Sequence, residues 1–343
     1  MSGARNTNGQ RDPVSRILGT GSFLPDIVRT NAELEAMVET SDAWIVERTG
    51  IRERRIAPPE MTTSDMATEA ARNALASAEL PASAVDMIIV GTITPDVQMP
   101  ATAAFVQQKL GARMCPAFDV GAACAGFIFA LATADAFVRS GAAKNVLVIG
   151  VEMLSRVVNW QDRTTCVLFG DGAGAVVLGR AEGVEARGRK RGVLSTRLFT
   201  DGNGTASLVI PAGGTAEPMT KEGLATQRNK IHMRGQDVFK AAVKNLHSSS
   251  QAALDDLGWT GDDIDWICPH QANLRIVDLA VSKLGLAKER VLLNIDRVGN
   301  TSSASIPILI DEGVRSSKLR PGDNILLCAL GAGISWGSAV ITL

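Results

Sequence analysis

Cys124 is the residue of this sequence whose surroundings most favour chemistry. It lies in DVGAACAGF (residues 119–127), among alanines and glycines whose small side chains leave room for a substrate or another backbone to approach. The apolar run before it predicts a strand, and the apolar segment after it predicts a helix. At a helix N-terminus, free N–H groups and the helix dipole lower the pKa of a thiol, which predicts a nucleophile. The alternative interpretation is a buried, inert cysteine.

Two polar residues could assist such a nucleophile. His270 follows the strand-like segment IDWICP and precedes a helical pattern, in a chain with only three histidines. A histidine at a strand end can act as an acid, a base or a hydrogen-bond donor. Asn300 lies in RVGNTSSASIP, a polar turn that leads into a helix. Taken singly, His270 could be a capping or loop residue and Asn300 an ordinary turn residue. His232 and His247 are interpreted as structural.

The sequence patterns of the strands and helices around these residues predict an α/β protein. Strand-like runs such as VDMIIVGT alternate with helical segments such as TSDMATEAARNALASAEL, for which Thr63 or Ser64 is a suitable N-cap. This alternation predicts a mostly parallel sheet covered on both faces. AGFIFALATADAFVRSGAA is nearly all apolar and predicts a central helix buried on all sides. Residues 200–230 predict a long loop over the surface.

The second half of the chain repeats the first. SQAALDDLGWTGDDIDWICPH has the helix–loop–strand pattern of AARNALASAELPASAVDMIIVGT, and NILLCALGAGISWGSAVITL resembles TTCVLFGDGAGAVVLGR. Such separations are too long for a solenoid repeat and predict a duplicated α/β domain with a loop-like seam near residues 181–192. We therefore expect three parts: a flexible tail (1–14), an N-terminal half with the nucleophile (15–185) and a C-terminal half with the histidine and the asparagine (186–343).

The composition excludes several classes of protein. The chain has 343 residues, of which 45% are hydrophobic and 21% charged, as in a globular protein. A formal net charge of −1 provides no global attraction to nucleic acid or a membrane, and no apolar stretch approaches the roughly 20 residues that span a bilayer. The polar N-terminus lacks a secretory signal, so we expect a cytoplasmic protein. Five cysteines without a C-x-x-C pair argue against disulfides and zinc, and we expect no metal and no cofactor.

Six motifs make the sequence resemble the β-ketoacyl-acyl carrier protein synthase III family of the thiolase-like superfamily. In the family's order they are SDAWIVERTGIRERRI, DVGAACAGF, FGDGAGAVVL, HQANLRI, VGNTSSASIP and GAGISWGSA. The resemblance implies a thiolase-like α/β fold, with two duplicated halves in five αβαβα layers. It also implies a condensing enzyme, an acyltransferase of fatty acid biosynthesis. Its substrates would be an acyl-CoA primer and malonyl-acyl carrier protein (malonyl-ACP), and its products β-ketoacyl-ACP and CO2.

The resemblance implies a role for each candidate residue. Cys124 would attack the acyl-CoA thioester and hold the acyl group. His270, as a donor, and Asn300 would hydrogen-bond the enolate oxygen that forms when malonyl-ACP loses CO2. The backbone N–H groups of Cys124 and Ala332 would form an oxyanion hole, although the family usually has glycine at the position of Ala332. Further residues match CoA-binding positions (Trp44, Arg48, Arg163 and Asn273) and ACP-docking positions (Lys240, Arg275 and Lys283).

Met99, in QMPATAAF, departs from the family pattern. The family often has phenylalanine there, which reaches across a dimer interface and closes the acyl pocket. Methionine is unbranched and flexible, so we expect a pocket that accepts acyl groups longer or more branched than acetyl. The resemblance also implies a homodimer.

Two alternative functions remain. A related enzyme of secondary metabolism could join longer acyl or polyketide chains, or transfer acyl groups. Some chain-joining relatives supply a glutamate near the position of Met99, where this chain has Gln98 and Met99 and no carboxylate. A non-catalytic acyl-CoA binder would be expected to have lost Cys124, His270 or Asn300, and none is missing.

Overall fold

The computed structural model describes residues 12–343. The strands of the first half are β1 (Ser15–Phe23), β2 (Ile27–Thr30), β3 (Glu53–Ile56), β4 (Met87–Gly91), β5 (Ala117–Val120), β6 (Val146–Glu152) and β7 (Gly172–Arg180). Its helices are α1 (Asn31–Glu35), α2 (Asp42–Thr49), α3 (Thr63–Ser77), α4 (Thr102–Leu110), α5 (Gly126–Ser140) and α6 (Arg163–Cys166).

The second half has a similar mixture of elements. Its strands are β8 (Glu185–Ala186), β9 (Arg189–Lys190), β10 (Gly192–Thr200), β11 (Leu208–Val209), β12 (His232–Met233), β13 (Trp266–Pro269), β14 (Asn324–Gly331) and β15 (Ser335–Thr342). Its helices are α7 (Lys221–Ala225), α8 (Gly235–Asp255), α9 (Leu274–Lys283), α10 (Ile295–Val298) and α11 (Ser305–Arg315).

Two mixed sheets share one topology. The larger has the strand order β1-β7-β6-β4-β5 and the smaller the order β10-β15-β14-β13. In both, the first two pairings are antiparallel and the third is parallel. The duplication predicted from the sequence is thus visible in the topology. The expectation of mostly parallel sheets is wrong, because β7 and β15 run against both of their neighbours; β15 follows β14 through a tight turn, which reverses the chain.

Helices cover both faces of each sheet. Apolar side chains of α5 and α11 pack between the sheets, against β4 and β6 on one side and β13–β15 on the other. Helix α3 packs on the outer face of the larger sheet, and α8 and α9 pack on the outer face of the smaller one. The layers are therefore αβαβα, as the resemblance implied. Cys124, the candidate nucleophile, precedes α5 of the central layer and therefore lies between the two sheets.

Helix α5 is less enclosed than its composition predicted. Ala136 and Ser140 are exposed, and Phe129, Ala132 and Phe137 on the same helix face are only half-buried. With the turn before it, Ala123–Ser140 has the length and mean hydropathy (1.4) of a membrane span, so the expectation that no apolar stretch approaches that length was too strict. About half of this segment, 56%, is buried inside the fold, which is typical of a core helix.

Several local predictions are corrected. The side chain of Thr62, not Thr63 or Ser64, caps α3, because its hydroxyl accepts the N–H of Asp65. The predicted tail (1–14) lies mostly outside the described residues; within its last three residues, Asp12 pairs with Lys190 at 2.6 Å. The seam at 181–192 contains the short hairpin β8–β9 rather than only loop. The 200–230 segment contains β11 and α7, and part of it lines an internal cavity described below.

Candidate active site

Cys124 is positioned by contact between the two halves of the chain. It lies in a single 3₁₀ turn, Ala123–Ala125, between β5 and α5, and only 8% of it is exposed. Gly331, at the end of β14, packs directly on this turn. A Cβ atom at Gly331 would lie 2.6 Å from the backbone nitrogen of Cys124 and 2.8 Å from the carbonyl oxygen of Ala122. Only glycine allows such close approach of the two backbones.

The thiol of Cys124 is neutral in the resting protein. Burial raises its pKa to about 12, a hydrogen bond with Ser302 lowers it, and the nearby Glu152 carboxylate raises it. The lowered pKa expected from the sequence is therefore wrong, because desolvation of the thiolate exceeds the stabilisation that one helix N-terminus provides. A neutral thiol needs a group that takes its proton when it attacks a thioester.

His270 directly follows β13 and is fully buried. Its backbone N–H donates to the carbonyl oxygen of Cys328 at 2.7 Å, which continues the pairing of β13 with β14. Its Nδ1 lies 2.8 Å from the hydroxyl of Ser305, and its Nε2 has no hydrogen-bond partner among residues 12–343. Burial lowers the pKa of His270 to about 4, so the ring is neutral at physiological pH.

Ser305 sets the tautomer of this neutral ring. Its hydroxyl lies 2.8 Å from Nδ1 of His270 and 2.8 Å from the carbonyl oxygen of Ser302, and it has one proton to donate. When that proton points to Ser302, Nδ1 of His270 is the protonated nitrogen and Nε2 is an acceptor. When it points to Nδ1, Nε2 carries the proton and is a donor. The donor role implied for His270 corresponds to the second arrangement.

Asn300 is held by its backbone and by one end of its amide. Its N–H donates to the carbonyl of Leu168 at 2.8 Å, and its carbonyl accepts from Gly170 at 3.0 Å. Its Oδ1 accepts the backbone N–H of Ser302 at 2.8 Å. This hydrogen bond orients the side chain so that the NH2 group remains available as a donor.

Cys124 forms part of the wall of two adjacent cavities. The first, of about 110 Å³, brings Cys124, His270 and Asn300 together and is otherwise mainly apolar. The second, of about 300 Å³, is lined by Cys124, Ala123, Ser302 and Ala332 at one end. The rest of its wall is apolar: Ile93, Leu154, Phe169, Leu208, Val209, Ile210 and Ile231. The cysteine therefore separates a chamber with polar donors from an apolar one.

Ala332 lies in the turn between β14 and β15, on the wall of the second cavity. In the part of the chain that the structure describes, the turn and loop hydrogen bonds use neither the N–H of Ala332 nor that of Cys124. Both groups are thus available to an oxyanion that forms on the cavity wall. The alanine at this position retains the donor that glycine would supply.

The residues matched to CoA binding form two groups. Trp44, in α2, lies close to two guanidinium groups: the Cζ atoms of Arg48 and Arg163 are 5.5 Å and 5.1 Å from its ring centre. Asn273 lies deeper, on the wall of the first cavity, and its Oδ1 caps α9 by accepting the N–H of Ile276 at 2.9 Å. The two groups lie at the surface and along the first cavity, respectively.

Of the three docking candidates, the structure brings two together. Lys240 and Arg275 border a surface pocket of about 500 Å³, which Arg48 also lines. Lys283 is exposed at the opposite end of α9 and does not line this pocket. Met99 is 85% exposed and lines neither cavity of the single chain.

Three polar residues of the site were not found from the sequence. Glu152 ends β6 and is fully buried, and Ser302 and Ser305 lie in the turn and first residue of α11. A charged residue at the end of an otherwise apolar strand, VLVIGVE, was a detectable signal for Glu152. The two serines belong to a Ser-rich turn and have no signal that separates them from their neighbours.

Comparisons with known proteins agree with the geometry. The 3-oxoacyl-[acyl-carrier-protein (ACP)] synthase III family matches residues 118–202, and its C-terminal region matches residues 254–343. The β-ketoacyl-[acyl-carrier-protein] synthase III of Caldanaerobacter subterraneus subsp. tengcongensis is 50% identical over 325 residues, which cover 95% of this chain and 96% of the relative.

Solved structures give the same result. The crystal structure of 3-oxoacyl-[acyl-carrier-protein] synthase III from Aquifex aeolicus VF5 is 44% identical, with a TM-score of 0.87 over 96% of this chain and 100% of that one. The priming β-ketosynthase of the R1128 polyketide pathway is 34% identical, with a TM-score of 0.87 over 100% of this chain and 99% of that one. The chain belongs to the β-ketoacyl-acyl carrier protein synthase III family of thiolase-like condensing enzymes.

Proposed function

We propose that this protein catalyses the decarboxylative condensation of an acyl-CoA primer with malonyl-ACP, which gives β-ketoacyl-ACP and CO2 and initiates fatty acid elongation. The observation that carries the proposal is the shared cavity of Cys124, His270 and Asn300, in a chain 50% identical to a family member. A thiol, a histidine and an amide donor are the groups that acyl transfer followed by enolate formation requires.

In the first half-reaction, Cys124 attacks the thioester carbonyl of acyl-CoA. The tetrahedral oxyanion accepts the N–H groups of Cys124 and Ala332, and its collapse releases CoA. The acyl chain then occupies the apolar cavity of about 300 Å³, while the pantetheine arm enters through the cavity lined by Asn273.

In the second half-reaction, malonyl-ACP enters the vacated arm and loses CO2. The enolate oxygen is stabilised by Nε2–H of His270 and by the NH2 group of Asn300, because both line this cavity. Removing one such donor typically costs about 3–4 kcal/mol of transition-state stabilisation. The enolate carbon attacks the acyl–Cys124 carbonyl, and β-ketoacyl-ACP leaves.

The acyl cavity favours a primer longer or more branched than acetyl. Its volume of about 300 Å³ lies at the lower end of the range for ligand pockets, about 300–1,000 Å³, and its far wall is entirely apolar. In the proposed homodimer, Met99 of one subunit would close the cavity of the other. Among residues 12–343 no strand pairs with the outer edge of β5, and Met99 and Met114 are exposed nearby in sequence, which supports a partner at this edge. Sedimentation equilibrium of the protein tests the dimer.

Incubation with acetyl-, isobutyryl-, hexanoyl- and decanoyl-CoA is expected to add an acyl mass to the protein, with isobutyryl and hexanoyl groups accepted at least as well as acetyl. Intact-protein mass spectrometry measures this, and Cys124→Ala is the control that loses every adduct. Labelling by acetyl-CoA alone would contradict the proposed primer range. Absence of labelling by all four would contradict the acyl-cysteine mechanism.

Substituting Trp44 by alanine is expected to raise KM for acyl-CoA about tenfold and to leave kcat unchanged, because a stacked base is worth about 1–3 kcal/mol. The control substrate is the acyl-pantetheine thioester, which lacks the adenine. Its KM should be the same for the Trp44→Ala variant and the wild type. An equal loss with both substrates would place the role of Trp44 in the fold rather than in adenine binding.

Reversing charge at Lys240 and Arg275 together, to glutamate, is expected to raise KM for malonyl-ACP about tenfold or more, because an acidic carrier would then meet like charges. The loss should shrink at high salt. Lys283→Glu is the matched control: it lies outside the pocket that Lys240 and Arg275 border, so its effect should be smaller. An equal effect of Lys283→Glu would indicate that the docking face lies further along α9, toward Lys283.

A priming role in a polyketide pathway is the second candidate function. The observation in its favour is the likeness to the priming β-ketosynthase of the R1128 pathway, at 34% identity. The two functions differ in the acyl donor and in the carrier that receives the product. Acyl transfer from a carrier protein but not from CoA, or a preference for long chains, would favour the second. The absence of a carboxylate at Gln98 and Met99 favours decarboxylation over direct deprotonation in either pathway.

A further inference from the structure

Glu152 is a buried carboxyl group that the steps above do not use. It accepts hydrogen bonds from the hydroxyl of Thr94 at 2.7 Å and the backbone N–H of Ile93 at 3.1 Å. Three further hydroxyls lie close to its oxygens: Ser302 at 3.2 Å, Ser303 at 3.3 Å and Thr92 at 3.3 Å. Among residues 12–343 it forms no ion pair. A buried carboxylate without a cation is costly, which points to a function.

Ser302 connects this carboxyl group to the nucleophile. Its hydroxyl donates to Oε1 of Glu152 at 3.2 Å, and Ser302 shares the wall of the second cavity with Cys124. A serine hydroxyl has one proton and two acceptor lone pairs, so it can take the thiol proton while it donates to Glu152, and it can then donate to the thiolate, whose pKa it lowers. Ser302 thus lies between the cavity wall that holds Cys124 and the Glu152 carboxylate, in the order that a proton transfer from thiol to carboxylate requires.

The backbone holds Ser302 in this position at a cost. Its φ angle of +50° is in the left-handed region, which is unfavourable for a serine. The N–H of Ser302 is fixed by Oδ1 of Asn300, and Ala123, next to the nucleophile, also has a positive φ of +45°. Two strained residues on the same cavity wall as the cysteine are typical of a functional site rather than of ordinary packing.

We propose that Glu152, acting through Ser302, takes the thiol proton of Cys124 during acyl transfer and stores it until the condensation releases the cysteine. The inference rests on the proposed function and adds two residues to it. In this relay Ser302 exchanges the proton with the reacting sulfur and is the catalytic member of the pair, whereas Glu152 is a positioning residue that acts through Ser302.

Acyl transfer exchanges one thioester bond for another. The S–C bond from Cys124 to the acyl carbonyl forms and the C–S bond to CoA breaks, and its electron pair leaves on the CoA sulfur. The thiol proton passes to the oxygen of Ser302 while the hydroxyl proton of Ser302 passes to Glu152. The CoA thiolate takes a proton from water at the mouth of the cavity, and the hydroxide ion that remains passes into the solvent. Glu152 is then a neutral acid and Cys124 an uncharged thioester.

The condensation step returns the proton. The enolate carbon bonds to the acyl carbonyl carbon, the C–S bond to Cys124 breaks, and the electron pair passes to the sulfur. The stored proton returns from Glu152 through Ser302, which restores the thiol and the carboxylate. During this step the neutral Glu152 does not repel the anionic malonyl group or the enolate, which a permanent carboxylate beside Cys124 would do.

The acidity of Glu152 suits this exchange. Burial raises its pKa to about 7, and hydrogen bonds from Thr94, Ile93, Ser302 and Ser303 lower it. A group with a pKa near the working pH can both accept and return a proton. Cys124, on the turn before α5, is the titratable group that faces Glu152. His270 shares a cavity with Cys124 but has a pKa of about 4, so the two ionisations are separable.

The experiment is single-turnover acylation without malonyl-ACP, followed by the release of CoA and by intact mass, as a function of pH. The variants are Glu152→Gln and Ser302→Gly; glycine removes the hydroxyl and tolerates the positive φ. Both are expected to acylate about 10²-fold more slowly or worse. The wild-type rate should rise with pH through about 7, as Glu152 ionises, and this limb should vanish in Glu152→Gln. Thr68→Val, which removes a buried hydroxyl of α3 far along the chain from the site, is the control.

Acylation of both variants at the wild-type rate would overturn the relay and leave the proposed function intact. A Glu152→Gln variant that acylates slowly but keeps the rise in rate near pH 7 would also overturn the relay. A purely structural role of Glu152 would lower the rate without changing its dependence on pH. If the wild type is not acylated, the proposed function fails. The relay is then tested by the pH dependence of Cys124 alkylation with iodoacetamide, which needs no acyl-CoA. If the alkylation rate of Glu152→Gln still rises near pH 7, the relay is overturned in this experiment as well.

Discussion

Replacing His270 with alanine is expected to lower the rate of condensation by about 10²- to 10³-fold, because the enolate oxygen loses one of two donors. The same variant should still take up an acyl group, since the thiol proton leaves Cys124 toward Ser302 and not toward His270. In the wild-type protein, Nε2 of His270 has no hydrogen-bond partner in the described part of the chain, and His270 lines the first cavity with Asn300. The measurement separates the half-reactions: intact mass after acyl-CoA for the first, and CO2 release from malonyl-ACP by the acylated protein for the second.

Asn300→Ala removes the second donor and should slow condensation to a similar extent, but it should also slow acylation, because Oδ1 of Asn300 fixes the N–H of Ser302. Ser305→Ala is a matched probe of the tautomer: it keeps the ring of His270 but removes the hydroxyl that lies 2.8 Å from Nδ1. A smaller loss, confined to condensation as for His270→Ala, is expected there. If His270→Ala abolishes acylation as well, His270 is the base for Cys124, and both this prediction and the relay through Ser302 are wrong.

Gly331→Ala is expected to abolish acylation although the residue has no side chain and no chemistry of its own. The added Cβ would lie 2.6 Å from the nitrogen of Cys124 and 2.8 Å from the carbonyl oxygen of Ala122. Both are backbone atoms of a turn that cannot move without displacing the thiol and the oxyanion hole. Overpacking of this kind costs about 1–3 kcal/mol of folding free energy, and a displaced oxyanion donor costs about 10²- to 10³-fold in rate.

The control for this prediction is Gly202→Ala. Nothing lies within 4 Å of a Cβ at Gly202, and its φ is outside the left-handed region, so the free energy of unfolding and the rate should be unchanged. Acyl-CoA labelling and urea unfolding measure the two quantities. Normal labelling of Gly331→Ala would mean that the hairpin β14–β15 and the nucleophile turn are not in the fixed contact described here.

The site depends on the junction between the two duplicated halves. The first half provides Cys124 and Glu152, and the second provides His270, Asn300, Ser302 and Ala332. Neither half contains both a nucleophile and the donors for its oxyanions. This explains why close contacts of glycines, such as Gly331 on the turn of Cys124 and Gly150 on the carbonyl of Ser303, lie at this junction.

Much of this protein follows from the sequence by itself. The alternation of apolar strands and helices determines the α/β class, since each element must bury its apolar face. The repeated segments determine the duplication, which the matching strand orders of the two sheets display. The position of Cys124 between a strand and a helix, and six ordered motifs, are sufficient for the family. These features are local or repeated, so they can be recognised in the sequence without knowledge of distant contacts.

The tertiary structure decided the properties that depend on residues far apart in the chain. The pKa of Cys124 is raised and not lowered, because burial between two sheets removes water from the thiol. Strand directions in each sheet also depend on the tertiary structure. So does the contact of Ser302 with Glu152, which joins residues 150 positions apart. Desolvation and long-range hydrogen bonds have no periodic signature in a sequence, because they are set only when the two halves pack together.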